Sequence, residues 1–267
     1  MTALQEFYGF RTQPFNITTD AELFFESQSH QEALASLMYG IEERKGLILV
    51  TGEVGTGKTT LCKALLERLP KSVRTSFIMS PYFSDIQLLQ AIVEDFGLEP
   101  ERKTRLDIVK KLDVFLIDLS LNQGNAVLII DEAQNLKARQ LEQIRLLSNL
   151  ETKYGKLLQI VLVGQPELKA SLQRFDLRQI YQRIVVKYEL CPLEFADVRA
   201  YVDFRIEHSG VMGVSIPLEG YRMIHEFSKG IPRLVNLLCD RALLLGFVKK
   251  EKVLSPEIFI TAMEEIR

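Results

Sequence analysis

Residues 51–60 read TGEVGTGKTT and directly follow the apolar run LILV. Gly52, Gly57, Lys58 and Thr59 satisfy G-x-x-x-x-G-K-[ST], the spacing of a phosphate-binding loop. Glycines let the backbone curl so that successive N–H groups point inward at phosphate oxygens. A helix starting near Lys58 adds the positive end of its dipole. On this reading Gly52, Glu53, Val54, Gly55, Thr56, Gly57, Lys58, Thr59 and Thr60 bind a nucleotide. Lys58 would reach the β- and γ-phosphates, and the Thr59 hydroxyl would ligate magnesium.

A second acidic stretch, AVLIIDEAQNL, occupies residues 126–136. Asp131 follows an apolar strand, where it can hold magnesium through its water shell, and Glu132 beside it can orient or deprotonate a water. An Asp-Glu pair with no such task would be a costly neighbour to a core. In VLVGQPEL, Gln165 stands just past another strand. Its amide can hydrogen-bond the attacking water or the γ-phosphate, although the same residues also describe a turn that starts a helix at Pro166. The segment RFDLRQIYQRIVVKYEL offers Arg174, Arg178 and Arg183 ahead of the last strand. These arginines are either solvated charges or fingers for a neighbouring subunit's site, where planar charge stabilises a transferring phosphoryl group. Arg233, in KGIPRLVNLL, falls in the first turn of a later helix and can reach back across a cleft.

The elements that must position these groups are legible from periodicity. Residues 47–51, 75–79, 126–130, 159–164 and 183–190 read as strands, the first four as nearly continuous apolar runs suited to a sheet covered on both faces. Between them lie helices; in RLDIVKKLDVFLIDL, Ile108, Val109, Leu112, Phe115, Leu116 and Leu119 share one face. The alternation predicts an α/β fold with a parallel, helix-covered sheet. Asp131 lies 73 residues after Lys58 (131 − 58), an interval holding one further strand, so the two strands that carry these residues need not be neighbours. After about residue 191 only helices follow, with Gly210 and Gly230 as C-terminal caps, Pro232 inside a first turn, and Ser255 capping a last helix. The expected organisation is an α/β nucleotide-binding domain over 1–191 and a small helical lid domain over 192–267.

Composition sets outer bounds. Of 267 residues 47% are hydrophobic and 25% charged, with a net charge of −2, so no general electrostatic pull draws the chain to nucleic acid or anionic lipid. Cys62, Cys191 and Cys239 are too scattered for a disulfide framework and point to reduced thiols in a cytoplasmic setting. The opening MTALQEFYGF lacks a basic segment and a long apolar core, so no secretion signal is expected. Phe7, Tyr8, Phe10 and Phe15 are expected to form an arm that packs on the α/β domain near the adenine.

Taken in order, GEVGTGKT, LIIDEAQ, GQPEL, LRQIYQRI and GIPR, with the openings FYGFRTQPF and SHQEALASLMYGI, resemble the AAA+ ATPases of the general secretion pathway A type. The resemblance spans essentially the whole chain. It implies a P-loop NTPase (AAA+) sheet followed by an all-α lid, ATP and Mg²⁺ as ligands, Gln165 as sensor 1, Arg233 as sensor 2, and Arg183 or Arg178 as the finger given to a neighbour in a homo-oligomer. The implied function is ATP hydrolysis that drives assembly or remodelling of a secretion, pilus or polysaccharide-export system, at the inner membrane through a partner. The alternative is a DNA-associated ATPase of a transposition or phage system, which the net charge disfavours. Secretion-pathway members of this type usually continue into a membrane span and a peptidoglycan-binding region; neither lies within these residues, and coupling to the cell wall is not carried over.

Overall fold

In the structure, a computed structural model, residues 2–16, 24–79, 81–99, 101–102, 104–153, 155–210 and 213–266 are described. The first half of the chain runs α1 (Ala3–Tyr8), α2 (Gln28–Glu42), β1 (Leu47–Gly52), α3 (Lys58–Arg68), β2 (Val73–Ile78), α4 (Asp85–Asp95), α5 (Arg105–Leu121), β3 (Asn125–Ile130) and α6 (Ala138–Leu147). It continues with β4 (Glu151–Thr152), β5 (Gly155–Lys156), β6 (Leu158–Gly164), α7 (Pro166–Leu172), α8 (Arg178–Tyr181), β7 (Ile184–Leu190), α9 (Phe195–His208), α10 (Leu218–Ser228), α11 (Pro232–Lys249) and α12 (Pro256–Ile266). By their internal contacts these elements form two compact units.

One unit comprises residues 30–52 and 61–190. Its sheet is wholly parallel, in the order β2-β3-β6-β1-β7. Every residue of β1 and β6 is buried, which explains why both read as unbroken apolar runs. The outer strand β7 alternates exposed and covered positions instead. Leu47, Leu49, Leu128, Ile130, Ile160 and Leu162 face one cluster shared with α4, α5 and α6. On α5 that contact is made by Ile108, Leu112 and Leu116, the centre of the stripe expected from sequence. The opposite face is closed by α2, which approaches so tightly that a Cβ on Gly40 would lie 2.6 Å from Ile48 Cδ1. Sequence and structure agree on the five strands to within two residues; the two-residue hairpin β4–β5 went unforeseen because it is short and polar.

Strand order decides where chemistry can sit. Strand β6 lies between β1 and β3, and the three strands run in register so that Thr51 pairs with Gly164 and Ile130 with Leu162. Their carboxyl ends therefore open at one edge of the sheet, the usual place for a ligand in an open α/β fold. Asp131 and Gln165 are the first residues beyond β3 and β6, and Gly52 closes β1.

The other unit comprises residues 1–29, 53–60 and 191–267. Helices α9 to α12 surround a core of Val198, Val202, Ile224, Leu238, Ala242, Ile258 and Phe259. Pro232 opens α11, and the left-handed turn that ends α10 starts at Lys229 (φ 52°), one residue before Gly230 (φ 77°). The aromatic arm expected on the α/β domain belongs to this helical core instead. Tyr8, Phe10 and Phe15 are at most 2% exposed within it, and Phe7 packs edge-on against Phe247. The Tyr8 hydroxyl donates to the carbonyl of Leu243 at 3.0 Å, and Phe10 bridges to Gly210. The buried Arg205 donates to the carbonyls of Pro14 and Asn16 at 2.6 and 2.7 Å. Large apolar rings settle where they exclude most water, and the core among these helices offers that place. Cys62 and Cys239 are buried and Cys191 is exposed.

Candidate nucleotide site

The glycine loop leaves β1 at Gly52 and enters α3 at Lys58. Gly55 and Gly57 adopt φ of +86° and +96°, which side chains with a Cβ resist, so the loop needs glycine at both. The Glu53 carbonyl gathers its contacts, accepting from the Thr56 hydroxyl and from Lys58 Nζ, each at 2.8 Å. Thr56 and Lys58 are 1% and 6% exposed. An ammonium so withdrawn from water, at the start of a helix and beside a glycine turn, is complemented by an anion. On these grounds the loop fits a phosphate chain. Arg233 stands beside it: its amide donates to the Gly55 carbonyl at 3.3 Å, and a Cβ on Gly55 would lie 2.7 Å from Arg233 Cβ.

The second group of candidates lies past the ends of β3 and β6. Asp131 is 2% exposed, its amide donates to Ile78 O, and its Oδ1 accepts from the Glu132 amide at 2.9 Å. Glu132 itself is held in the left-handed region (φ 52°), a conformation that a non-glycine residue keeps only where its surroundings demand it. Its Oε2 accepts from Gln134 Nε2 at 2.5 Å and from Gln165 Nε2 at 3.4 Å. The Gln165 amide in turn donates to Gln134 Oε1 at 3.1 Å. Glu132 and Gln165, 33 positions apart, are thus brought together. Gln134 joins them, a residue that sequence reasoning passed over although it stands two places after Glu132 in DEAQ. A single carboxylate oriented by two amides, beside a buried second carboxylate, is an arrangement that can position a water and take its proton.

The arginines fall apart as a group. Arg174 pairs with Asp176 at 3.3 Å, and Arg178 stacks over the Phe175 ring at 4.6 Å. Exposed Arg183, just before β7, donates to the side chain of Asn149. Thr59 and Thr60 lie on the first turn of α3, and Val54 is exposed.

Known proteins share this pattern. Residues 41–172 match the model of the AAA domain family. General secretion pathway protein A of Aeromonas hydrophila is 42% identical over 262 residues, 97% of this chain and 48% of that protein, so the chain spans about half the length of the relative it matches. Among solved structures, the Aeropyrum pernix ORC2 protein in ADPNP–ADP complexes superposes with a TM-score of 0.71 at 16% identity, over 96% of this chain and 72% of that one. The Pyrobaculum aerophilum Cdc6p structure gives 0.70 at 18% identity, over 92% and 71%. The Thermotoga maritima RuvB branch migration motor gives 0.60 at 20% identity, over 95% and 73%. At these identities the structural neighbours speak for the fold alone, a five-stranded parallel sheet with a helical C-terminal part. The AAA domain match and the 42% identical relative, with the motifs, identify the chain as an AAA+ ATPase similar to general secretion pathway protein A.

Proposed function

We propose that the chain binds ATP with magnesium and hydrolyses it at sites completed by a neighbouring copy, using the cycle to assemble or remodel a secretion, pilus or export apparatus. What supports hydrolysis, as opposed to binding alone, is Glu132, held at φ 52° with its carboxylate oriented by Gln134 and Gln165. In this reading the amides of residues 53–58 cradle the phosphates and Lys58 turns from the Glu53 carbonyl to the β- and γ-oxygens. Magnesium, when bound, neutralises charge on the phosphate chain, and the motifs assign it to the Thr59 hydroxyl and the Asp131 carboxylate. Glu132 accepts the proton of the attacking water while Gln165 holds that water in line with the γ-phosphate. Arg233 transmits the state of the loop to α11, and Arg183 or Arg178 supplies charge to the neighbour's site.

The relative's name supports the secretion setting, and we propose attachment to an inner membrane through a partner; no helix among the described residues is long and apolar enough to cross a membrane. The test is steady-state ATP turnover of the purified chain across a range of protein concentrations, beside Glu132→Gln. Turnover that rises with concentration and collapses in the variant, with binding of a fluorescent ATP analogue retained, is the expected result. Near-normal turnover in Glu132→Gln would place the base elsewhere.

A further inference from the structure

Helix α5 carries two apolar faces. Its inward stripe, Ile108, Leu112 and Leu116, packs into the core of the sheet unit. At about 100° per residue, Leu106, Val114, Ile117 and Leu121 share a second stripe, about 80° wide and about 22 Å long, on the opposite side. These four side chains are 41% to 76% exposed. A surface helix ordinarily shows one apolar stripe, toward the core, and turns polar residues outward. Single exposed leucines are commonplace, but a continuous apolar row along one helix marks a contact surface.

The outer face also has a charge order. Lys110 lies within the stripe and Lys111 on one flank of it, both in the first half of the helix, while Asp118 lies on that same flank in the second half. All three are exposed, and none forms an ion pair among the described residues. Asp118 stands 7 and 8 positions after the lysines (118 − 111 and 118 − 110), beyond the three or four that a pair within one helix needs.

We propose that α5 pairs antiparallel with α5 of a second copy, about a two-fold axis close to Val114. Reversal about Val114 sets Lys110 opposite Asp118 of the other copy and brings Leu106 against its Leu121. The two-fold keeps each flank on its own side, so Lys111 meets the same Asp118. A parallel pairing would set lysine on lysine and aspartate on aspartate. Asp113, next to the axis on the other flank, favours neither direction. A foreign helix could cover the apolar row, but a row whose charge reverses about its own midpoint is what a two-fold mate requires. Such a contact closes on itself and yields a dimer. It uses none of the residues assigned to the nucleotide or to the finger, so it stands independently of the ATP reading.

The experiment is sedimentation equilibrium of the purified full chain without nucleotide, and of Arg183→Ala alongside. The expected result for both is a monomer–dimer equilibrium with a dissociation constant on the order of 10 μM, as suits a two-helix contact at the small end of specific interfaces. Val114→Glu with Ile117→Glu should raise that constant at least about tenfold with helical circular dichroism preserved. Asp118→Lys should weaken the dimer about three- to tenfold, and adding Lys110→Asp and Lys111→Asp should restore it. Direction is read by cysteine pairing in a Cys191→Ser background, since Cys191 is exposed. A short bismaleimide should join Leu106→Cys to Leu121→Cys in a mixture, and neither chain to itself. A monomer throughout, a dimer indifferent to the Val114 and Ile117 changes, or a triple charge variant no tighter than Asp118→Lys overturns the proposal. So does Leu106→Cys joined to itself, or a dimer lost in Arg183→Ala, which would assign the association to the finger instead.

Discussion

The amide of Arg233 donates to the carbonyl of Gly55 at 3.3 Å, so the first turn of α11 rests on the middle of the glycine loop. The loop's contacts are made with the helical unit, although its two ends continue into β1 and α3 of the sheet unit. A change in the loop's backbone on taking up phosphate would therefore be felt at once by α11. On the proposed reading, Arg233 would then sense nucleotide through its own backbone.

Gly55→Ala tests that contact. The new methyl would meet Arg233 Cβ at 2.7 Å and Ile231 Cγ2 at 3.1 Å, at a φ of +86°. Left-handed backbone costs an alanine about 1–2 kcal/mol before any clash. Affinity for a fluorescent ATP analogue should fall by about tenfold or more, with the helical circular dichroism preserved. Unchanged affinity would show that the loop moves away from α11 before nucleotide binds.

Gln134→Ala tests whether Glu132 is positioned by its neighbours. Loss of the amide that holds Glu132 Oε2 and accepts from the Gln165 amide should lower kcat by about 10- to 100-fold, while nucleotide binding changes little. Gly164→Ala should act in the same direction, because a Cβ there would lie 2.7 Å from Gln134 Oε1. A drop in binding without a drop in kcat would make Gln134 structural only.

How much of this could be read from sequence depends on range. Gly52 to Thr59 is a local pattern, and the strands around it announce themselves by unbroken apolar runs; both were legible. The order β2-β3-β6-β1-β7 was legible only as room for an inserted strand. Gln134 was missed because one amide among many polar residues carries no periodicity, and only the fold brings it to Gln165. The aromatic arm was placed on the wrong unit because ring content states that Tyr8 will be buried but not where. Its partner Leu243 is 235 residues away, and no local rule reaches that far.

Tyr8→Phe measures what the arm contributes. The hydroxyl donates to Leu243 O at 3.0 Å and to Glu251 O at 3.3 Å, and its loss should cost about 1 kcal/mol, or roughly 2–4 °C in Tm. Burial, with the Glu251 charge adding to it, pushes the Tyr8 pKa up to about 12. The folded chain thus keeps a proton that the unfolded chain releases near its ordinary value of 10. Stability from this group is complete below pH 10 and declines as pH rises toward 12, because ionisation favours the unfolded state. The stability gap between the native chain and Tyr8→Phe, taken from urea midpoints, should accordingly narrow from pH 9 to pH 11. A gap that widens would mean that the hydroxyl is not held as a donor.

Arg183→Ala tests the proposed mechanism and assembly together. Arg183 is exposed, it precedes β7 at the sheet's outer edge, and its side chain donates to the neutral side chain of Asn149. Such an exposed guanidinium, although near enough to Glu142 and Glu151 to lower their pKa values, can be offered to a second copy, whereas Arg178 lies over the Phe175 ring. Removing a finger typically costs about 10³ to 10⁵ in turnover while leaving nucleotide binding nearly intact. Arg183→Ala should therefore bind the fluorescent ATP analogue normally and hydrolyse ATP poorly. Mixing it with the inactive Glu132→Gln chain should restore part of the activity. In a mixed assembly some interfaces join an intact Glu132 of one copy to an intact Arg183 of its neighbour, and neither variant alone can form that pair. A mixture that co-assembles by analytical ultracentrifugation yet stays as inactive as its components removes Arg183 from the role, and Arg178→Ala then takes its place in the same experiment. An arginine with a purely structural task would instead lower Tm and give no complementation.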